Sequence, residues 1–520
     1  YRNTGAANNY QYVLADNTTF SAGGNEHDGN NAENNNSVAF ADYDKDGYVD
    51  ILQQSYHKWF AGDQQFGERE VALFHNNGDG TFTRMNVFNP LPYDKNPHFD
   101  GGIFDTDPVT FENVAKKNIL PMSHGAVAFG DLNNDGYPDI IATGYCNGTN
   151  GGPTFVMYKN NGDGTFDEVD LSNEPFRGVY ESDLVLADMN NDGWLDIVSF
   201  GTGNFDGKAG DIYYNNGSSK PFDFTLSKYD QSGLYGFSEA NTGIFDINHD
   251  GLLDVVAHGW TNSTGNWGTH VFLQNNDHTF THDSELLDPS NSGGWSFGDF
   301  EGKNQMDIVM TGYLNYPDGN WNCNTLLYKN LNEGNTAPTA PSNVVATTDD
   351  KGKIKVTWDA ANDDQCDQVS LGYNVYVKNE KTGETSMLIP ADIQTGKIKS
   401  YAQMQCAIIS DNLYSYEVKV PANGNYTVGV QAIDPSFVGG PFATAQVQVT
   451  TSVKKVEADT YKVMTVQNGI IVKGSTNQAV KVFNANGALV ASGNTNTVLP
   501  VTGKGVFVVK VNTKVYKIIK

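Results

Sequence analysis

One nine-residue pattern occurs four times in this chain and limits what it can fold into. The copies are DYDKDGYVD from Asp42, DLNNDGYPD from Asp131, DMNNDGWLD from Asp188 and DINHDGLLD from Asp246. A fifth, altered copy, DFEGKNQMD, starts at Asp299. Oxygen-bearing side chains at positions 1, 3 and 5 are the donors that a hard cation such as calcium takes, six to eight oxygens at a time. The Gly at position 6 permits a sharp turn, and the last Asp closes the loop. An EF-hand needs twelve residues and a closing Glu, so these loops are a different cage.

Short apolar runs flank each loop: Val38-Ala39-Phe40 and Ile51-Leu52, Val127-Ala128-Phe129 and Ile140-Ile141, Leu184-Val185-Leu186 and Ile197-Val198, and Val255-Val256 after the fourth. Being β-branched and bounded by Gly and Asp, they predict strand, loop, strand. A second hairpin follows each time, as in LFHNNGDGTF (73–82) and MYKNNGDGTF (157–166), where Asn-Gly and Asp-Gly are strong turn signals. Each repeat is therefore four antiparallel strands, A to D. The loops start 89, 57, 58 and 53 residues apart. Four-stranded units at such periods predict a β-propeller. Five blades are expected, with YVLADNTTF (12–20) completing the last; a degenerate blade inside the insertion at residues 86–120 would make six.

These repeats resemble the FG-GAP or VCBS repeats of integrin α-chain propellers and of many secreted bacterial proteins, over about residues 10–335. The resemblance implies about four structural calcium ions in the A–B loops. Side-chain ligands would be Asp42, Asp44, Asp46 and Asp50; Asp131, Asn133, Asp135 and Asp139; Asp188, Asn190, Asp192 and Asp196; and Asp246, Asn248, Asp250 and Asp254. The carbonyls of Tyr48, Tyr137, Trp194 and Leu252 would add one ligand each. The fifth copy departs from the pattern: Lys303 stands at the third ligand position, so its ammonium would replace an ion. Recurrence in every blade marks the ions as scaffold, since a catalytic metal keeps open positions at one place.

The 520 residues carry a formal charge of −28, much of it in the loops. An acidic surface argues against nucleic acid. No apolar run reaches the ~18 residues that span a membrane. Weak, repeated calcium sites suit millimolar external calcium, which places the protein outside the cytoplasm, as a secreted or outer-surface monomer. No export leader opens the sequence, so an exported chain would begin after a removed one. Cys366 and Cys406 fall in one later domain and could pair; Cys146 and Cys323 lie in blades two and five.

Three domains are expected: the propeller (1–335), a β-sandwich (336–451) and a second β-sandwich (452–520). The Pro-marked NTAPTAPSNV linker opens the second, whose alternating runs KIKVTWDA, YNVYVKN and NYTVGVQAID resemble a fibronectin type III domain, with Trp358 and Tyr426 in its core. The last segment holds ten Lys against Glu457 and Asp459 alone. Its VFNANGALV hairpin and KGVFVVKV strand resemble the C-terminal sorting domain of the type IX secretion system of Bacteroidota, which implies an export or anchoring address; an ordinary Ig-like spacer is the alternative.

In a propeller the A–B and C–D loops share one face, and the B–C and D–A loops the other. The B–C loops are rich in aromatic and amide side chains: Tyr56 and Trp59 in blade one, Tyr145 in blade two, Trp260 and Trp267 in blade four, and Tyr313, Tyr316 and Trp321 in blade five. Such faces suit sugar rings, and they equally suit protein anchors. Seven positions before each loop stand Asn35, His124, Glu181, Glu239 and Ser292, which by symmetry ring the central mouth. The expected function is binding of glycan, with a protein-binding adhesin as the alternative. An enzyme, a polysaccharide lyase or hydrolase using Glu181, Glu239 and His124, is the rival class.

Overall fold

The computed structural model describes residues 2–3, 12–13, 37–61, 64–85, 88–89, 119–120, 122–146, 152–203, 207–217, 221–261, 267–283, 287, 290–315, 321–349, 352–399, 408–410, 413–420, 423–450, 461–474, 477–511 and 514–520. Within them the chain is almost entirely antiparallel β-structure, broken by the short helix Tyr229–Ser232 and the 3-10 turn Gln368–Ser370. Each acidic loop joins two paired strands. Blade one is Ser37–Ala41, Asp50–Ala61, Gln64–Asn76 and Phe82–Arg84. Blade two is Val127–Gly130, Asp139–Cys146, Gly152–Asn160 and Phe166–Glu168, with Phe88–Asn89 added in parallel at its outer edge. Blade three is Tyr180–Ala187, Asp196–Thr202, Lys208–Asn215 and Phe224–Ser227. Blade four is Phe237–Phe245, Asp254–Thr261, Trp267–Gln274 and Phe280–Asp283. Blade five is Ser290–Gly298, Asp307–Asn315 and Trp321–Tyr328. The N-terminal strand expected to complete blade five is described only at Tyr12–Val13, which pair with Arg2–Asn3; residues 14–36 lie outside the described residues.

Strands of alternating apolar residues bury both faces of each blade, so the cores lie between neighbouring blades. Leu52 and Leu73 of blade one pack with Ile140 and Val156 of blade two. Ile141 and Met157 pack with Ile197 and Tyr213, and Val198 and Ile212 with Val255 and Phe272. Phe245 and Val256 of blade four pack with Met306 and Ile308 of blade five.

A polar clamp crosses each of these seams. Asn160 Nδ2 donates to the Tyr43 carbonyl of blade one at 2.9 Å. Asn215 Nδ2 donates to Leu132 O of blade two at 2.8 Å, Gln274 Nε2 to Met189 O of blade three at 2.8 Å, and Asn330 Nδ2 to Ile247 O of blade four at 3.0 Å. The clamp from Asn160 makes blades one and two immediate neighbours; of the insertion at residues 86–120, only 88–89 and 119–120 are among the described residues. These amides are the first residue of the NNG hairpin motif or its equivalent, which sequence reasoning takes as turn residues only.

Residues 342–449 form a two-sheet sandwich. One sheet orders Ser342–Thr348, Lys353–Asp359, Leu413–Lys419 and Ile408–Ser410; the other orders Thr385–Met387, Gly372–Asn379, Gly424–Ile433 and Ala443–Val449. Trp358 is fully buried between them with Tyr373 and Tyr414. Cys366 carries a free thiol, and Cys406 lies outside the described residues. Propeller and sandwich make one compact unit, and residues 451–520 make a second. The second has a three-stranded and a four-stranded sheet around Ile470, Val482 and Val509.

The sandwich sits directly on the acidic-loop face. Lys45, position 4 of the first loop, is 6% exposed, with its Nζ 4.5 Å from the Tyr137 ring centre and 5.3 Å from that of Tyr416. Lys419 N–H donates to Lys45 O, and Ser386 Oγ donates to Gly47 O. In the fourth loop Asp246 N–H donates to Pro435 O while Ser436 Oγ donates to Asp246 O. Phe437 enters the core between blades four and five.

The clamps should carry stability independently of any ion. Asn215→Ala strands the buried carbonyls of Leu132 and Leu195 and the N–H of Gly217, and should cost about 2–4 kcal/mol in urea unfolding. A cost below about 0.5 kcal/mol would remove the clamps from the account.

Candidate functional site

In every loop the last Asp is buried and its two oxygens are both used by the backbone. Asp50 accepts from Tyr43 and Asn76 N–H, Asp139 from Leu132 and Asn160, Asp196 from Met189 and Asn215, and Asp254 from Ile247 and Gln274. Asp307 does the same in the altered loop, from Phe300 and Asn330. This carboxylate ties the A–B loop to the end of the C strand, which puts A–B and C–D loops on one face. Each oxygen keeps a second lone pair for a cation. The first Asp folds the loop itself: Asp188 accepts from Asp192 and Gly193 N–H, and Asp42, Asp131 and Asp246 repeat the pattern.

The donor set fits calcium. In the first loop the carboxylate oxygens of Asp42, Asp44 and Asp46 lie within 4.8 Å of one another. Burial, then the neighbouring carboxylates, push Asp42 up to about 7. Burial likewise pushes Asp131 and Asp246 up to about 6, Asp188 and Asp50 to about 7 and Asp254 to about 8. A divalent cation offsets that gathered charge. In loops two to four the Asn at position 3 accepts from the position-5 N–H through Oδ1 and donates to the position-5 carboxylate: Asn133 to Asp135, Asn190 to Asp192 and Asn248 to Asp250. Position-7 rings cover the adjacent hairpin. A Cβ added at Gly78 or Gly162 would fall 2.5 or 2.8 Å from the ring of Tyr48 or Tyr137, which explains those glycines. Sequence reasoning missed His75, whose Nδ1 lies 3.4 Å from Asp44 and 3.3 Å from Asp50. In the altered loop Lys303 Nζ pairs with Glu301 at 2.7 Å, and Lys329 pairs with the same carboxylate.

The opposite face carries the mouth residues. His124, Glu181 and Glu239 share a left-handed backbone, with φ of 57°, 48° and 49°. The two glutamates sit at bulges in their strands, between Tyr180 and Asp183 and between Ser238 and Asn241. Glu181 N–H donates to His124 O, so blades two and three bring these two positions together. Thr202 Oγ1 donates to Glu181 Oε2 at 3.3 Å, and His124 Nδ1 faces Ser123 Oγ at 2.8 Å. Burial and then the Glu181 charge push Glu239 up, while Lys208 pulls it down. Lys208 was not foreseen: its Nζ lies 4.5 Å from the centre of the Trp260 ring. Asn35 lies outside the described residues, and Ser292 is described by backbone alone.

Trp260 is 44% exposed and faces Trp267 across the hairpin, ring centres 6.4 Å apart. Tyr145 packs edge-on to Tyr180 at 5.5 Å. Tyr56, Trp59, Tyr313 and Trp321 lie on strands whose side chains at those positions are outside the described residues, as is all of Tyr316. Behind Trp267, at 5.9 Å, lies His258, whose Nδ1 is 2.9 Å from Thr269 Oγ1. His270 and His282 face each other at 2.8 Å, and Tyr235 OH reaches His282 at 3.1 Å.

With the loops and blades in view, the family comparison is decisive for the repeats. Residues 131–199 and 188–257 match the model of the FG-GAP-like repeat. The chain carries FG-GAP-like repeats. The two matches span the second, third and fourth acidic loops, and the all-β architecture of propeller plus sandwich agrees with them. No curated protein matches the chain. Among solved structures it is similar to the FN1–FN3 domains of chicken CNTN1, at 13% identity and TM-score 0.16, over 54% of this chain and 98% of that one. It is also similar to a fungal alcohol oxidase of the AA5 family in complex with copper, at 13% identity and TM-score 0.27, over 77% and 95%. At those scores neither likeness carries an argument.

Two measurements follow from the site. Chelating calcium should lower the thermal midpoint, since a site held at a hundredfold its Kd contributes about 2.7 kcal/mol; an unchanged midpoint contradicts the fit. His258 is buried and held down to about 4, below its unfolded value. Its neutral form therefore adds stability above about pH 6.5 that is lost as pH falls toward 4. Against His258→Gln, the wild-type chain should lose up to about 3 kcal/mol more over that window; parallel pH profiles contradict it.

Proposed function

We propose that the chain is an exported, calcium-stabilised binding propeller that takes glycan on its B–C/D–A loop face. One observation carries the reading: the sandwich covers the acidic-loop face through Lys45, Asp246 and Phe437, while the opposite face keeps an exposed indole, Trp260, beside Trp267. An exposed aromatic platform next to hydroxyl, amide and charged groups is what a sugar ring needs, C–H patches on the ring and hydrogen bonds around it. The sandwich acts as a fibronectin-like spacer, and the Lys-rich last domain as the sorting or anchoring address. Extracellular calcium keeps the four intact loops filled, and Lys303 serves the fifth. No helix among the described residues is long and apolar enough to cross a membrane.

A glycan array probed with the calcium-loaded chain tests this. Binding that falls at least tenfold in Trp260→Ala or Trp267→Ala supports it, with loss of an aromatic anchor worth about 2 kcal/mol. A blank array contradicts the glycan reading and turns attention to a protein partner. Turnover of a bound polysaccharide that Glu181→Gln abolishes would replace binding with catalysis.

A further inference from the structure

Glu181 and Glu239 occupy backbone that Gly or Asn would hold with less strain, since a left-handed φ crowds the Cβ of other residues. Bulges that re-aim a side chain and strained non-glycine residues gather where a fold binds something. Strand pairing gathers the groups: Ser238, next to Glu239, pairs with Trp260, and Thr202 pairs with both Lys208 and Tyr180, the neighbour of Glu181. Lys208 sits over Trp260, and its charge interacts with both glutamates. Among the described residues these two carboxylates against one ammonium leave one negative charge in excess beside an indole that is 44% exposed. His258 shares a strand face with Trp260, two residues away, is 1% exposed, and has a buried Nε2 without a hydrogen-bond partner among the described residues.

We propose that this rim between blades three and four is a subsite for an amino sugar, a hexose unit bearing a free ammonium group. The sugar ring stacks on the Trp260–Trp267 pair and its ammonium lies between Glu181 and Glu239. Lys208 is the built-in precedent, an alkylammonium already held on that indole beside those carboxylates. A polyuronate would bring carboxylates to a rim already in negative excess. An N-acetylated sugar keeps the stacking and loses the charge. The proposal rests on the glycan reading and narrows it to one class.

The test is calorimetry on the full calcium-loaded chain at low salt, with β-1,4-glucosamine oligomers, their N-acetylated counterparts and oligogalacturonate of equal length. The glucosamine oligomer should bind about two- to fivefold tighter than the N-acetylated one, the range of an exposed charge pair. Glu239→Asn should erase that preference without lowering the thermal midpoint, because Asn tolerates left-handed backbone. Lys208→Ala should widen the preference by removing the competing ammonium. If the N-acetylated oligomer binds as tightly and Glu239→Asn changes nothing, glycan binding stands and the amino-sugar assignment falls. Preference for the uronate also overturns it. If none of the three binds and the glycan array is blank, the parent reading fails and takes the proposal with it.

Discussion

The structure depends on a buried carboxylate at the end of each acidic loop. Asp50, Asp139, Asp196, Asp254 and Asp307 are each at most 2% exposed, and each accepts two backbone N–H groups, one from the A–B loop and one from the end of the C strand. A carboxylate taken out of water is tolerable only when its oxygens are satisfied. Satisfying them fixes where the loop starts, where the C strand ends and which face the two share. The clamp amides extend the arrangement sideways: Asn160, Asn215 and Gln274, the last residues of their C strands, and Asn330, just beyond its own, bond back to the neighbouring loop. Loop geometry within a blade and spacing between blades are thus set by one short stretch of sequence per repeat.

That logic separates two faces by function. Strong backbone hydrogen bonding and gathered negative charge make the acidic-loop face rigid and suited to a structural cation. Its loops then supply the seat for the sandwich, through the Lys45 carbonyl and both backbone groups of Asp246. Lys45 loses hydration there, and the Tyr137 and Tyr416 rings offset part of the cost. The other face has no comparable cover among the described residues. It holds the strained glutamates, the Lys208–Trp260 contact and the Trp pair.

Much of this was legible in the chain because the repeat is local. The spacing of Asp, Asn and Gly within nine residues dictates the loop, and apolar runs on either side dictate the strands. Glu181 and Glu239 were paired by alignment of the repeats alone, and they share a left-handed φ and a strand bulge. The clamps were visible as letters but not as contacts, since an Asn before Asn-Gly already has a role as a turn former. Lys208 was invisible because no equivalent in the other repeats marks it. The docking of the sandwich was invisible for another reason: Lys45 and Tyr416, or Asp246 and Ser436, lie far apart in sequence, and no local pattern links them. The sequence also suggested that residues 12–20 complete blade five; beyond Tyr12–Val13 they lie outside the described residues.

The most direct test of the account is site-resolved hydrogen exchange on the full chain with and without a calcium chelator. The account predicts that chelation speeds exchange at the stapled amides of the four intact loops, Met189 and Asn215 among them, and at Phe437 where the sandwich docks. Exchange at Phe300 and Asn330, in the loop served by Lys303, should stay slow. Equal loosening of all five loops, or of none, would contradict it.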